Sequence, residues 1–226
     1  MSPKKTSEPP AVSILAEFSA GAGHFLNNPL AAISGRAQLM LENETDPAKR
    51  QDLCVILNQV RRAKEMIADL RLTACPPTPE PKELNLSRFL EKVASEYRAE
   101  FASRGMACLL VCPEISLQAD EAMLSVLFHA LIDNSLRAIG TSGSISIRAE
   151  KKRQTVRIHF SDSGPGIAPD IEPLIFDPYY SSYPSGRGLG FGLTKARLIA
   201  QLHGGNVTLE DAKTATFLIE LKDLHS

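Results

Sequence analysis

The sequence predicts an α+β protein in two parts: an N-terminal antiparallel helical hairpin that dimerises into a four-helix bundle, and a C-terminal two-layer α/β sandwich. Two observations support this prediction. Apolar residues recur every three or four positions over two long N-terminal stretches, which is the period of an amphipathic helix. After a proline-rich run at 75–81, stretches of helical period alternate with short stretches of strand period, which is typical of a layered domain.

Composition narrows the class of protein. The chain has 226 residues, of which 43% are hydrophobic and 23% charged, with a formal net charge of -1. This profile fits a soluble protein of two small domains. Because the chain carries no overall basic field, we expect no nucleic-acid partner. No apolar run approaches the roughly 20 residues of a membrane-spanning helix, so we also expect no direct membrane insertion.

Cysteine usage bears on the cellular compartment. The chain has four cysteines, and they lack the paired spacing of a zinc site or of a disulfide framework: Cys54, Cys75, Cys108 and Cys112. Thiols in such a pattern fit a reducing environment, and we therefore expect a cytoplasmic location.

The N-terminal part is predicted to be a disordered lead at 1–10 followed by the hairpin at 11–75. Asp46 is the expected N-cap of the second helix, and Pro47 suits its first turn. A lone hairpin leaves much of its apolar stripe in water, so we expect a homodimer that covers the stripe. The stripe comprises Leu15, Ala22, Leu26, Leu30, Ile33, Ala37 and Met40 on the first helix, and Leu53, Ile56, Leu57, Val60, Ile67 and Leu70 on the second.

The proline-rich run cannot continue either helix, and it predicts a hinge at 76–82 before a second domain at 83–226. Helices are expected near 87–104, 120–139 and 193–202. Strands are expected at 107–112, 144–150, 155–161, 206–210 and 215–221.

The first candidate site lies on the first helix. At about 100° per residue, His24 falls nearly opposite the apolar stripe and should face water, with Asn28 one turn later on the same face. Pro29 then removes a backbone hydrogen bond and should kink the helix beside the histidine. The alternative is a solvated surface histidine next to a chance proline.

The second candidate site combines a strand end with two glycine-rich segments. Asp162 follows a predicted strand, and Gly164 and Gly166 after it would let a ligand approach the backbone closely. Gly188, Gly190 and Gly192 lead into a helix, whose first amides can bind an anion such as phosphate. The segment is neither a Walker loop nor a dinucleotide fingerprint. The alternative is that each glycine-rich segment, considered by itself, is an ordinary turn.

The third candidate site is on the helix near 120–139, which is apolar nearly all round. Asn134 in such a helix needs a partner, and its amide oxygen could be a ligand of Mg²⁺. Arg137 follows one turn later and could meet a phosphate. A buried structural asparagine bonded to nearby backbone is an equal alternative.

Taken together and in order, these segments resemble the transmitter of sensor histidine kinases, from about residue 14 to about residue 221. Residues 24–30 look like the H box of that family and residues 131–138 like its N box. Residues 162–166 resemble its first glycine box, 175–180 its F box and 188–193 its second glycine box. The resemblance implies that the sandwich is an ATP-binding domain of the type shared with gyrase, MutL and Hsp90. Those relatives lack the histidine-bearing hairpin.

The resemblance also implies a role for each residue of the nucleotide site. Asn134 would hold Mg²⁺, and Asp162 would accept from the adenine amino group. Gly164 and Gly166 would let the backbone reach the base, and Gly188, Gly190 and Gly192 would line the phosphates of ATP under a lid formed by 176–185.

On the hairpin, the resemblance implies that His24 is the phosphoacceptor. His24 would be phosphorylated by ATP and would pass the phosphoryl group to an aspartate of a response regulator receiver domain. Asn28 would orient a water or the receiver for the reverse reaction.

One departure from the family pattern bears directly on activity. The family commonly has an acid after the phosphorylated histidine, and this chain has Phe25. A general base typically contributes about 10²–10⁴-fold to a rate. The alternative function is therefore a histidine phosphotransferase or a phosphatase-biased scaffold with weak or no autokinase activity. A third reading, an ATPase that acts as a molecular clamp, leaves His24 and Pro29 without a role.

Overall fold

The computed structural model describes the backbone of residues 10–178, 180 and 190–223, and the side chains among them from residue 25 onward. The chain divides into two compact units, Met1–Pro77 and Thr78–Ser226. The boundary between them lies inside the proline-rich run. The first nine residues of the predicted lead lie outside the described residues, and helix begins at Pro10.

The first unit is the expected helical hairpin. Helix α1 spans Pro10–Asn43 and helix α2 spans Pro47–Ala74. The predicted cap is confirmed, because the side chain of Asp46 accepts a hydrogen bond from the Ala48 amide at 2.9 Å. Arg50 closes the turn by donating to the carbonyl oxygens of Leu41 and Glu44 at 2.9 and 2.8 Å.

The hairpin by itself covers only part of its apolar stripe. Ala37, Leu53 and Val60 are buried. Leu15 and Ala22, which the sequence placed on the same face, have side chains outside the described residues. A larger set of apolar side chains stays exposed within one chain: Leu26, Ile33, Met40, Ile56 and Leu70 of the predicted stripe, together with Leu39, Val55 and Met66.

The second unit is the predicted sandwich of sheet and helices. Its strands are β1 Lys82–Asn85, β2 Met106–Val111, β3 Ser116–Ala119, β4 Gly143–Lys152, β5 Thr155–Asp162, β6 Asn206–Asp211 and β7 Thr216–Lys222. Its helices are α3 Leu86–Glu96, α4 Arg98–Arg104, α5 Glu121–Ile139 and α6 Gly192–Leu202, with a 3₁₀ turn at Glu172–Leu174. Five strands form one sheet in the order β2-β4-β5-β7-β6, in which only the β2–β4 pair is parallel.

The core of this unit lies between the sheet and α5 and α6. In β5 and β7 every second residue is buried, which is the alternation of a strand covered on one face. Phe160 and Phe217 face each other across these two strands, and both are fully buried. Helix α5 buries nine residues and packs against α6, so the two helices form the second layer.

Three sequence predictions need correction here. The helix expected at 87–104 is two helices, α3 and α4, because the backbone of Tyr97 leaves helical geometry at φ -94 and ψ 3. Strands β1 and β3 were not predicted; they pair antiparallel as a separate two-stranded sheet. Strand β1 also takes Lys82 from the predicted hinge.

Helix α5 is long and apolar enough, by length and composition alone, to cross a membrane, contrary to the expectation that no run came near this. The helix lies in the core of the second unit, with half of its apolar window buried there. Its apolar character is therefore explained by packing against the sheet and α6.

Candidate functional site

Asp162, the last residue of β5, lies at the centre of the candidate site in the second unit. Its side chain is buried, with 6% of the residue exposed. The Ser135 hydroxyl on α5 donates to Oδ2 at 2.6 Å, and the Gly164 amide donates to Oδ1 at 2.8 Å. The carboxylate is thus held from two sides by groups that are 27 and 2 residues away in the chain.

These contacts set the electrostatics of Asp162. Burial raises the pKa of its carboxyl group, and the hydrogen bonds from Ser135 and from the Gly164 amide oppose that rise. An ionised carboxylate offers about four lone-pair sites, so two remain for a ligand. Asp162 can therefore accept a hydrogen bond from an exocyclic amine.

Gly164 and Gly166 occupy positions with no room for a side chain. A Cβ on Gly164 would lie 2.7 Å from Oδ1 of Asp162 and 3.2 Å from Cβ of Ala138. Gly166 has φ +78, and a Cβ there would lie 2.6 Å from the carbonyl oxygen of Lys213. Both glycines are thus required by close packing around the carboxylate and the adjacent loop.

Asn134 and Arg137 lie on α5, where Asn134 directly precedes Ser135 and Arg137 directly precedes Ala138. Asn134 is half-buried and Arg137 is exposed. The sequence argument expected a buried Asn134 in need of an internal partner; the structure instead leaves its amide partly in solvent. Within the described ranges this amide makes no side-chain hydrogen bond, so its oxygen is available to a ligand.

The second glycine segment is described only in part. Gly188 lies outside the described residues, whereas Gly190 has φ 72 and Gly192 is the first residue of α6. Phe191 is the N-cap of α6 and provides no side-chain acceptor for the first amides of the helix. These amides are therefore suited to an anionic ligand.

Phe176, in the F box at 175–180, contacts two residues of α6. The hydroxyl of Thr194 donates to the carbonyl oxygen of Phe176 at 2.9 Å. The guanidinium carbon of Arg197 lies 3.4 Å from the centre of the Phe176 ring, and the same ring meets Phe217 edge-on at 6.3 Å. Most of the predicted lid at 176–185 lies outside the described residues.

The H-box residues lie on α1. His24 is in the helix, but its side chain is outside the described residues, so its orientation stays a prediction. Asn28 is exposed, and Phe25 is exposed to 79%. Helix α1 continues through Pro29 to Asn43, and the kink expected at Pro29 stays a prediction.

Two family models match the chain in the order in which its units occur. The His Kinase A (phospho-acceptor) domain matches residues 14–76. The Histidine kinase-, DNA gyrase B-, and HSP90-like ATPase family matches residues 119–225. The chain belongs to the histidine kinase transmitters.

Curated relatives agree with this assignment. The transmitter is 30% identical over 215 residues to sensor histidine kinase ZraS of Escherichia coli strain K12, covering 92% of this chain and 45% of ZraS. It is 28% identical over 219 residues to the C4-dicarboxylate transport sensor protein DctB of Rhizobium meliloti, covering 93% of this chain and 35% of DctB. The transmitter thus spans less than half the length of these relatives.

Solved structures share the fold of the transmitter. Full-length ShkA in complex with AMPPNP has a TM-score of 0.79 at 21% identity, over 91% of this chain and 45% of that chain. Histidine kinase ThkA in complex with the response regulator TrrA has a TM-score of 0.67 at 23% identity, over 94% of this chain and 63% of that chain. The hairpin followed by an α/β ATP-binding domain is therefore the architecture of this transmitter.

The residues present fit ATP and one Mg²⁺ ion. The buried acceptor Asp162 suits the amine of an aminopurine. The first amides of α6, for which the Phe191 side chain makes no cap hydrogen bond, suit its phosphates. Mg²⁺ usually takes one or two protein oxygen ligands, with phosphates and waters completing its shell. The amide oxygen of Asn134 can serve as such a ligand.

Three contacting residues of this transmitter site escaped the sequence analysis: Ser135, Thr194 and Arg197. Each acts on a residue far away in the chain, so no local pattern reveals it. Ser135 carries one usable signal, since a hydroxyl on the buried face of an apolar helix requires a partner. The sequence therefore shows that the Ser135 hydroxyl needs a hydrogen-bond partner, but it does not show which residue that partner is.

Proposed function

We propose that the chain is an Mg-ATP-dependent protein-histidine kinase of a two-component system. It autophosphorylates on His24 and transfers the phosphoryl group to an aspartate of a response regulator receiver domain. The observation that carries the proposal is the presence, in one chain, of a phosphoacceptor-type hairpin and an ATPase-type domain whose buried carboxylate can accept from an amine.

In the nucleotide site, Asp162 binds the adenine amino group, and Gly164 and Gly166 admit the base. Asn134 holds Mg²⁺, which neutralises phosphate charge when bound. The amides of the glycine segment bind the phosphates, with Arg137 as a further cation on the same helix. Gly188, Gly190 and Gly192 are the glycines of that segment.

The chemical step is a phosphoryl transfer between ATP and His24. A neutral imidazole nitrogen attacks the γ-phosphorus, an N–P bond forms, and the P–O bond to the β-phosphate breaks with ADP as the leaving group. The receiver aspartate then takes the phosphoryl group and leaves the imidazole free. Asn28 orients the water or the receiver for dephosphorylation.

The chain acts as a homodimer in the cytoplasm. The exposed apolar side chains of α1 and α2 supply the support for the dimer, because a second hairpin would remove them from water in a four-helix bundle.

A specific observation favours a second function, that of a histidine phosphotransferase or phosphatase-biased scaffold. Phe25 follows the phosphoacceptor histidine and is exposed to 79%, so the position usually held by an acid presents an apolar ring. A phenyl ring neither accepts a proton nor donates one. ATP binding would then be retained with slow or no autophosphorylation.

The two functions are separated by the route through which His24 is phosphorylated. The 226-residue protein is incubated with γ-labelled Mg-ATP, and in parallel with a phosphorylated receiver domain in the presence of Mg²⁺. A kinase is labelled from ATP, whereas a phosphotransferase is labelled from the receiver only. His24→Ala is the control in both arms, and a label that persists in this variant would contradict both functions.

A further inference from the structure

Ser135 holds the Asp162 carboxylate in place. The residue is almost completely buried, with 1% exposed, and its Oγ lies 2.6 Å from Oδ2 of Asp162. A serine hydroxyl has a single proton, and an ionised carboxylate can only accept hydrogen bonds. The Ser135 hydroxyl therefore donates its single hydrogen bond to Asp162.

The protonation state of Asp162 decides what the site can recognise. An ionised carboxylate accepts from the amine of a 6-aminopurine, whereas a protonated carboxyl group can donate to the carbonyl of a 6-oxopurine. Burial by itself favours the protonated form. A donor aimed at the carboxylate counteracts this tendency and keeps the site an acceptor.

Two donors contact Asp162 among the described residues, and they differ in kind. The Gly164 amide belongs to the backbone and is present whatever the side chain at that position. Ser135 is the one side-chain donor found on this carboxylate within the described ranges, and it reaches across from α5. Only the Ser135 contact can therefore be removed by a substitution.

We propose that Ser135 is a positioning residue that sets the base selectivity of the nucleotide site, by fixing Asp162 as an ionised acceptor for the exocyclic amine of a 6-aminopurine. This inference rests on the proposed nucleotide binding. Ser135 acts through Asp162 and need not contact the nucleotide itself.

The test compares Ser135→Ala with the wild-type full chain. Dissociation constants for ATP and GTP are measured in Mg²⁺ by isothermal titration calorimetry, at about pH 6 and about pH 8, on either side of neutrality. We expect ATP to bind about tenfold more weakly to the variant, because the Asp162 carboxylate loses the donor that keeps it ionised and in place for the amine. GTP affinity should not fall with it, and the ATP deficit should be larger at the lower pH.

The control is Ser125→Ala, the same substitution on the same helix α5, where the serine is half-buried. This variant should bind ATP as the wild type does. An equal loss of ATP and GTP affinity in Ser135→Ala at both pH values would indicate a merely structural role and overturn the proposal. Unchanged ATP affinity would overturn it as well.

A second measurement separates failure of this inference from failure of the proposed function. The carboxyl carbon of Asp162 is titrated by NMR in the nucleotide-free wild type and in Ser135→Ala. We expect the midpoint to rise in the variant, and an unchanged midpoint would overturn the role of Ser135. If the wild type binds neither nucleotide but the midpoint rises, the nucleotide-binding proposal fails while the action of Ser135 on Asp162 stands.

Discussion

At the scale of single residues, the proposed chemistry depends on two side chains in contrasting surroundings. Asp162 is buried and has both oxygens hydrogen-bonded, which fits a fixed recognition group. Phe25 is exposed on a helix surface, directly after the proposed phosphoacceptor His24. Binding of ATP and the rate of phosphoryl transfer should therefore respond to different substitutions.

Replacing Phe25 tests whether the residue after His24 limits the rate of phosphorylation by ATP. Phe25→Glu should raise the initial rate of His24 labelling from γ-labelled ATP by about 10²-fold or more, since a general acid–base group typically contributes about 10²–10⁴-fold to a rate. Phe25→Gln introduces a polar side chain of the same size as glutamate that cannot take up a proton from His24, so it serves as the matched control. Equal rates for the two variants would show that a base at this position is not the limiting feature.

Replacing Asp162 tests recognition. Asp162→Asn can keep both internal hydrogen bonds, by accepting from the Gly164 amide and donating to the Ser135 hydroxyl, so its thermal midpoint should match or exceed that of the wild type. ATP affinity should fall about 10–100-fold, because a charged acceptor facing the amine is lost. Calorimetry of ATP binding measures the affinity, and calorimetry of unfolding measures the thermal midpoint. Parallel loss of stability and affinity would contradict the assigned role.

The same carboxylate makes ATP binding depend on pH. Burial raises the pKa of Asp162 above the usual range for an aspartate, with the hydrogen bonds opposing it. The accepting form is therefore lost as the pH falls through this raised pKa, and ATP affinity should decline at a higher pH than an ordinary aspartate would allow. Binding titrations from about pH 8 down to about pH 4, close to the usual value of an aspartate, check this decline. An affinity that stays constant over that whole range would contradict it.

At the scale of elements, α6 begins at Gly192, at the end of the glycine segment, and it also contacts Phe176 of the F box. Thr194 and Arg197 lie on this helix and hold Phe176 by a hydrogen bond and by ring stacking. Arg197 also donates to the carbonyl oxygen of Val207 at 3.1 Å, which connects α6 to β6. The proposed phosphate-binding end of the site and Phe176 of the F box are thus both held by α6.

This support predicts a stability effect. Arg197→Ala removes a cation–π contact worth about 0.5–2 kcal/mol and a hydrogen bond worth about 1 kcal/mol. The thermal midpoint of unfolding should fall by roughly 3–10 °C for a unit of this size. Arg148→Ala, an exposed arginine on β4, is the control and should leave the midpoint within about 1 °C. A midpoint unchanged by Arg197→Ala would show that the stacking contributes nothing measurable.

Sequence reasoning succeeded where the deciding interactions are local. The Asp46 cap with Pro47 and the long amphipathic helices depend on residues within a turn or two of each other. Strands β1 and β3 have four residues each, too few for a period to register, and they form only through pairing with each other. The break at Tyr97 and the partner of Ser135 are likewise fixed by contacts with α5 and β5 that lie about 30 residues away.

At the scale of the whole molecule, the hairpin unit by itself leaves apolar side chains of its stripe exposed. Ile33 and Met40 are exposed to 47% and 56%, although they lie on the stripe predicted to face a bundle core. Clusters of exposed apolar residues of this kind mark interfaces. We propose that the hairpin of a second chain covers these exposed side chains.

Polar substitution in this stripe should therefore break the dimer. The double variant Ile33→Ser and Met40→Ser should shift the mass measured by light scattering after size exclusion toward that of one chain, at micromolar concentrations. Leu109→Ser is the control, because Leu109 is exposed to a similar degree, 53%, but lies on β2 of the other unit. A dimer that survives the double variant would contradict the proposed bundle.

The proposed kinase activity depends most directly on transfer of the γ-phosphoryl group of ATP to His24. The 226-residue protein is incubated with Mg-ATP and digested at neutral pH, and mass spectrometry maps phosphate on the peptide that contains His24. We expect phosphate on His24 that is lost in acid, is stable in base and is absent from the His24→Ala variant. Wild-type protein that binds Mg-ATP as a folded dimer and never carries phosphate on His24 would contradict the kinase proposal.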